Sequence, residues 1–423
     1  MDEYFLQFLW KFQKLEGKPL VLTNKEVLEV YHPGHQNFDS GPDFRDARLK
    51  IGELMWSGSV EIHYRSSDWK RHGHLDDQAY HNVVLHVVWN HDQDITIDGQ
   101  PIPTLELARY APKDLQAEYR RYINQPEDIR CGKVLHQVPN IQITTLLDRS
   151  LAARLEAKSQ TVLTTLAACG NDWEETTYRT LAANFGFKTN KEAMLKLSTS
   201  LPYKVLRKHQ QQPTQLFALL FGMSGWLNDT PTDDYSQALQ REFQFLQKKY
   251  SLSPLLEKHL WKHARMRPAN FPAVRLAQFG AVLHAHQQLF DAVTHIHSLK
   301  DAQSLLHQPL PDYWKEHMDL GKPATKPMTI GKSAISIIII NTVAPILAAY
   351  AQYIGEVSYL ELAQELMESL PAERNKITKK WTELGISLES AADSQAALHQ
   401  FQHFCQMKKC LHCNIGLTIL HRK

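Results

Sequence analysis

The chain has 423 residues, 43% of them apolar and 22% charged, and a net charge of only +2. That length exceeds one ordinary core, so two or three domains are expected. The near balance of charge excludes a global basic field and leaves only local patches for binding nucleic acid.

The N-terminus carries Asp2 and Glu3 and has no small-residue cleavage pattern, which argues against a secretory signal. Five unevenly spaced cysteines suit a reducing compartment better than a disulfide framework, so a cytoplasmic location is expected. The 22 histidines raise metal-binding and proton-transfer readings.

Phe5, Leu6, Phe8, Leu9, Phe12 and Leu15 recur at helical spacing, and Gly17 closes that segment. "VLEVYHPG" reads as a strand entering a turn. "DFRDARLKIG" and "MWSGSVEIHY" alternate at period two around Gly52-Glu53, which predicts a hairpin. "SSDWKRHGHLDDQAYHN" opens on cap-like Ser66, Ser67 and Asp68 and reads as helix or loop. "VVLHVVW" is a β-branched strand, and a further hairpin is expected around Asp98-Gly99.

Beyond about residue 140 the periodicity becomes helical. The expected organisation is an α/β domain over 1–140 and a mostly α-helical region over 145–423, with a Pro/Gly-rich seam near 305–328. The apolar run 334–353 contains Asn341, Thr342, Pro345 and Gln352, which favours a buried core helix over a membrane span. No membrane partner is expected.

Asp43 begins the second strand of the first hairpin and Glu61 lies late in the third, so the turn near Gly52 brings them side by side. Period two puts His63 on the same strand face as Glu61. Asn37, Asp39, Ser67, Asp68, His72, His74 and Asp76 crowd the same stretch among Trp56, Trp69 and Tyr80. Solvated faces favour Lys and Glu, so this composition points to a site. The plainer alternative is a Gly-Pro-Asp turn beside an ordinary strand Glu.

Pro42-Asp43, seventeen intervening residues and Glu61-Ile62-His63, on a helix-strand-strand-strand-helix-strand order, resemble the PD-(D/E)XK nuclease superfamily. The resemblance implies a restriction-endonuclease-like α/β domain that cleaves DNA or RNA with Mg²⁺ or Mn²⁺. Asp43 and Glu61 would be ligands and Ile62 would lend its carbonyl. His63 stands where that superfamily carries Lys, a departure that opens a second expectation, a non-catalytic module binding nucleic acid or protein. "HPG" at 32–34, "GPDF" at 41–44, "VEIH" at 60–63, "SSDW" at 66–69, "RMRPANFP" at 265–272 and "CLHCNIG" at 410–416 also resemble, along nearly the full chain, a bacterial family catalogued as a domain of unknown function.

Three further groups are candidates. "HGHLDD" at 72–77 has the His-x-His-x-Asp spacing of a zinc hydrolase, although His72 and His74 can equally contact phosphate or cap turns. Cys405, Cys410 and Cys413 have metal-knuckle spacing, with Cys131, His403 or His412 as a fourth ligand, for zinc or an iron-sulfur cluster. Arg265 and Arg267, before Pro268, and Arg275, after Pro272, lie near Phe271 and are expected to contact nucleic-acid phosphates. "IGKS" at 330–333 lacks the first glycine of a phosphate loop, because Lys326 occupies that position.

Overall fold

The computed structural model describes residues 2–37, 40–74, 77–97 and 99–421. Asp39, Asp76 and the Asp98 turn position lie outside the described residues. The chain divides into two units. The first comprises Met1–Leu146, Glu383–Gly385 and Gln400–Lys423, and the second Leu147–Thr382 and Ile386–His399.

The first unit is built on a mixed sheet. Helix α1 (Glu3–Lys11) is capped by Asp2, whose carboxylate accepts the Phe5 amide. Strands β1 (Leu20–Val21), β2 (Val27–His32), β3 (His35–Gln36), β4 (Phe44–Ile51) and β5 (Leu54–Arg65) follow, then the single turn α2 (Asp68–Arg71). Strand β6 (Val83–Asn90), the short hairpin β7 (Thr96–Ile97) and β8 (Gln100–Pro101), β9 (Thr104–Glu106) and helix α3 (Lys113–Ile123) complete the N-terminal part. The sheet order is β1-β2-β4-β5-β6-β9, with β3 also paired to β4. Pairing is antiparallel from β1 to β5, then parallel from β5 to β6 and from β6 to β9.

The β4–β5 hairpin turns at Gly52, as the alternation predicts, with φ +57° at that glycine. One face of the sheet buries Phe5, Leu9, Leu49, Val60, Ile62 and Val87 in a common core. Leu411 and Leu420 belong to this same core. The C-terminal cysteine segment therefore packs in the sheet unit and not in the helical region to which its sequence position assigned it.

The second unit is helical. Helices Pro213–Met223 and Pro272–Ala285 are buried along nearly their whole length. The run Lys332–Ile354 is long and apolar enough to cross a membrane, and 78% of its apolar window is buried. A π-helical turn at Ile339–Val343 interrupts it. There the Asn341 carbonyl accepts the Asn184 amide at 2.8 Å, and its side chain accepts Lys158 Nζ at 3.0 Å. These bonds account for Asn341 inside an otherwise apolar helix.

A candidate histidine–carboxylate metal centre

The site begins where the β4–β5 ladder ends. The Asp43 amide donates to Glu61 Oε2 at 3.0 Å, and the Ile62 amide donates to Asp43 Oδ2 at 3.0 Å. Each carboxylate thus satisfies the backbone of the other strand, and Gln7 of α1 fixes Asp43 Oδ1 at 2.8 Å. The free face of Glu61 turns the other way. Its Oε1 lies 3.5 Å from His63 Nε2 and 3.4 Å from His74 Nε2.

Strand pleating places Glu61 and His63 on one side of β5, as period two requires. Both are buried, at 5% and 1% exposure. The parallel neighbour β6 contributes His86, whose Nε2 lies 2.9 Å from His63 Nδ1. That contact occupies one ring nitrogen of His63, while the other, Nε2, is buried and makes no hydrogen bond. A proton on Nδ1, donated to His86, leaves the Nε2 lone pair of His63 aimed at His74 and Glu61.

The connection after β5 brings in the remaining imidazoles. Asp68 accepts the Arg65 amide at 3.0 Å and pairs with Arg71 at 3.1 Å, while Asp92 accepts from both Ser66 and Ser67. These bonds secure the "SSDW" turn, and the hydroxyl and amide donors hold the Asp92 carboxyl down at about 2. Gly73 then reverses the chain with φ +78°, a conformation costly for a residue with Cβ, and His72 and His74 turn back together. His63, His72 and His74 have ligand nitrogens within 4.8 Å of one another. Among the described residues no other trio of His, Cys, Asp or Glu is so placed. Trp69 lies edge-on to His63, His74 and His86, and Tyr80 stacks on His74 at 3.8 Å.

Burial governs the electrostatics. It pushes Asp43 up to about 8, helped by the Glu61 charge, and pushes Glu61 up to about 8, helped by Glu3. It drives His63 down to about 2 and His86 down to about 3, so both imidazoles are neutral at physiological pH. Neutral imidazole is the ligating form. The trio grades from buried His63 to exposed His72, which also lines a cleft of about 670 Å³ with Glu3, Gln7, Arg65 and Arg71. The residues present fit a divalent transition-metal ion, because three imidazoles, one of them with an unanswered buried nitrogen, cluster together and a carboxylate oxygen faces two of them.

The sequence placed Asp43, Glu61, His63, His72 and His74 in this region, and the fold brings all five together. Their contacts differ from one residue to the next. Asp43 is occupied by Gln7 and the Ile62 amide, and His72 and His74 face His63. His86, Glu3, Gln7, Arg65 and Arg71 went unread. The one signal for His86 was a lone histidine in the apolar strand "VVLHVVW", and its partner depends on a parallel register that sequence alone does not reveal.

The cysteines form a second group in the same unit. Cys131, Cys405, Cys410 and Cys413 are all free thiols. The amides of Ile415 and Gly416 and the Gln400 side chain donate to Cys413 Sγ, the last at 3.1 Å. Burial, together with the closeness of the three groups, pushes the Tyr122, Cys131 and Cys410 side chains up. No three sulfurs lie within 4.8 Å of one another, whereas a ZnS₄ tetrahedron has edges of ~3.8 Å. Arg275, expected to meet nucleic acid, is instead buried at 6% exposure, because it lies on the inward face of its helix. Arg265 and Arg267 are exposed.

A mixed α/β unit carrying a buried histidine–carboxylate cluster, joined in sequence to a large helical unit, is the class of protein these features define. The chain belongs to the family described as "Protein of unknown function (DUF2851)", whose profile matches residues 3–376. No curated protein and no solved structure matches it.

Proposed function

We propose that the chain is a metal-dependent, nuclease-like hydrolase that cleaves phosphodiester bonds in DNA or RNA. The observation that carries this reading is the orphaned Nε2 of His63, buried beside His72, His74 and Glu61 Oε1. The order α1, β2, β4, β5, α2, β6 supports a restriction-endonuclease-like core. Three imidazoles favour Mn²⁺ or Zn²⁺ over Mg²⁺, which prefers oxygen. When bound, the ion would polarise a phosphoryl oxygen and acidify water. Glu61, His63, His72 and His74 would hold it, and Asp43 would orient Glu61 through the strand backbone. Arg65 and Arg71 line the adjoining cleft and would position phosphate.

The test is cleavage of single- and double-stranded DNA and RNA with Mn²⁺, Zn²⁺ or Mg²⁺. We expect His63→Ala and Glu61→Gln to lose metal binding and cleavage together, and Asp43→Asn to weaken both. Absence of cleavage by the wild type with every metal would end the enzymatic reading. One observation favours a second reading, a nuclease-fold module that binds nucleic acid or a protein without cutting. A neutral His63 supplies no positive charge where the PD-(D/E)XK superfamily carries Lys.

A further inference from the structure

The helical unit contains a cavity of about 620 Å³ whose lining includes Arg265, Arg267 and Arg275 and no acidic residue. Its construction begins at Gly186, where an added Cβ would lie 2.4 Å from the Asn190 carbonyl oxygen. This tight turn starts helix Phe187–Ser200, which is kinked at Asn190. Asn190 then clamps the facing segment, accepting the Lys262 amide at 2.9 Å and donating to the Lys262 carbonyl at 3.0 Å. The loop carrying Arg265 and Arg267 is held by these bonds, and Arg265 itself has φ +63°.

Arg275 forms the inner wall. Its guanidinium lies 4.3 Å from the Phe187 ring centroid and donates to Gln278 at 2.7 Å and Asn270 at 2.5 Å. Both partners are neutral. Its Nε is buried and makes no hydrogen bond. A buried guanidinium without a carboxylate is costly, and burial pushes Arg275 down to about 10. The side chains of Arg265 and Arg267 have no hydrogen-bond or ion-pair partner among the described residues. Two further lining hydroxyls, Thr329 and Ser333, make no hydrogen bond among them either. Three guanidiniums, one of them with an unanswered buried N–H, and two free hydroxyls therefore line one space without a counter-charge.

We infer that this cavity is a binding pocket for a phosphoryl group, carried by a nucleotide or by the end of a nucleic-acid strand. Planar guanidinium forks match phosphate oxygens in pairs. The volume falls within the range for small-molecule sites and exceeds what a lone small carboxylate needs. The pocket lies wholly in the helical unit, so the inference goes beyond the histidine cluster and stands even if that cluster cleaves nothing.

Calorimetric titration of the full chain with pyrophosphate, ATP, and 5′-phosphorylated and 5′-hydroxyl oligonucleotides tests it. Arg265→Gly and Arg267→Ala, both at exposed positions, should each weaken binding by about tenfold. Arg275→Lys, which keeps charge but loses the fork, should weaken it more. Pyrophosphate binding should persist in chelator, which separates this pocket from the proposed metal site. Preference for ATP and pyrophosphate would identify a nucleotide source, and preference for the phosphorylated over the hydroxyl strand a strand end. No binding of any probe, or binding unaltered in the Arg265→Gly/Arg267→Ala double variant, would overturn the inference.

Discussion

Raising the pH of metal-free protein from about 6.5 to about 8 should destabilise the sheet unit by roughly 2 kcal/mol. The carboxylates of Asp43 and Glu61 are pushed up to about 8 by burial, so the folded state holds protons that the unfolded chain releases. Stability from such a raised group is complete below its unfolded pKa and is lost as pH climbs through the folded one. His63 and His86 act in the opposite sense. Buried neutral at about 2 and about 3, they add stability as pH rises to about 6.5, the unfolded histidine value, and nothing beyond it. Above that point the carboxylates act alone within the cluster. One proton held by the pair over about 1.5 pH units is worth about 2 kcal/mol, a fall in Tm of roughly 4–8 °C for a unit of this size. Thermal melts in chelator across this pH range measure it. Glu61→Gln should flatten the slope, and saturating Mn²⁺ should remove it by holding the pair ionised. A wild-type Tm that is flat or rising over this window, or an equal slope in Glu61→Gln, would refute the reasoning.

Three further outcomes are expected. His63→Lys removes a ligating nitrogen and adds charge beside Glu61, so Mn²⁺ or Zn²⁺ binding should vanish; retained binding by calorimetry would show that His63 is not a ligand. Alkylation of native protein should reach half-buried Cys169 and Cys405 before buried Cys131, Cys410 and Cys413. Gly222→Ala would set a Cβ 2.2 Å from the Phe243 ring, so we expect a loss of about 1–3 kcal/mol in denaturant unfolding of the helical unit.

The parts of the fold legible in the sequence were those fixed by local pattern. Alternation flanking Gly52 located the β4–β5 hairpin, and with it the adjacency of Asp43 and Glu61. Helical spacing located α1, and the polar residues of 334–353 marked that run as a core helix. Long-range pairing escaped. Nothing local says that β6 runs parallel to β5 and brings His86 to His63, or that Leu411 and Leu420 return to the core of Phe5. The burial of Arg275 was hidden for the same reason. The prolines at 268 and 272 mark a turn, but the exposure of a residue beyond that turn depends on which face of the following helix packs inward.

The positions of the unanswered polar atoms separate structural polarity from functional polarity. Buried polar groups in the helical unit can be fully answered. Gln210 donates to the Leu283 and His286 carbonyls, and Trp226 donates to Asp319. Such groups rigidify a core. Several buried hydroxyls and indoles do lack partners, Tyr178 and Trp173 among them, but these are neutral groups whose apolar bodies account for their burial. His63 with its neighbour His86, whose Nδ1 also lacks a partner, and Arg275 are different. Each is an ionisable side chain placed almost wholly out of water, each keeps a nitrogen without a partner, and each faces other polar groups that converge on the same space. An apolar side chain at either position would pack at lower cost. A sequence consistent with its fold nearly everywhere departs from that consistency where a ligand is to supply the missing interaction. At His63 the missing partner has the chemistry of a cation, since lone pairs and carboxylate oxygens converge there. At Arg275 it has the chemistry of an anion, since three guanidiniums line that space and no carboxylate does.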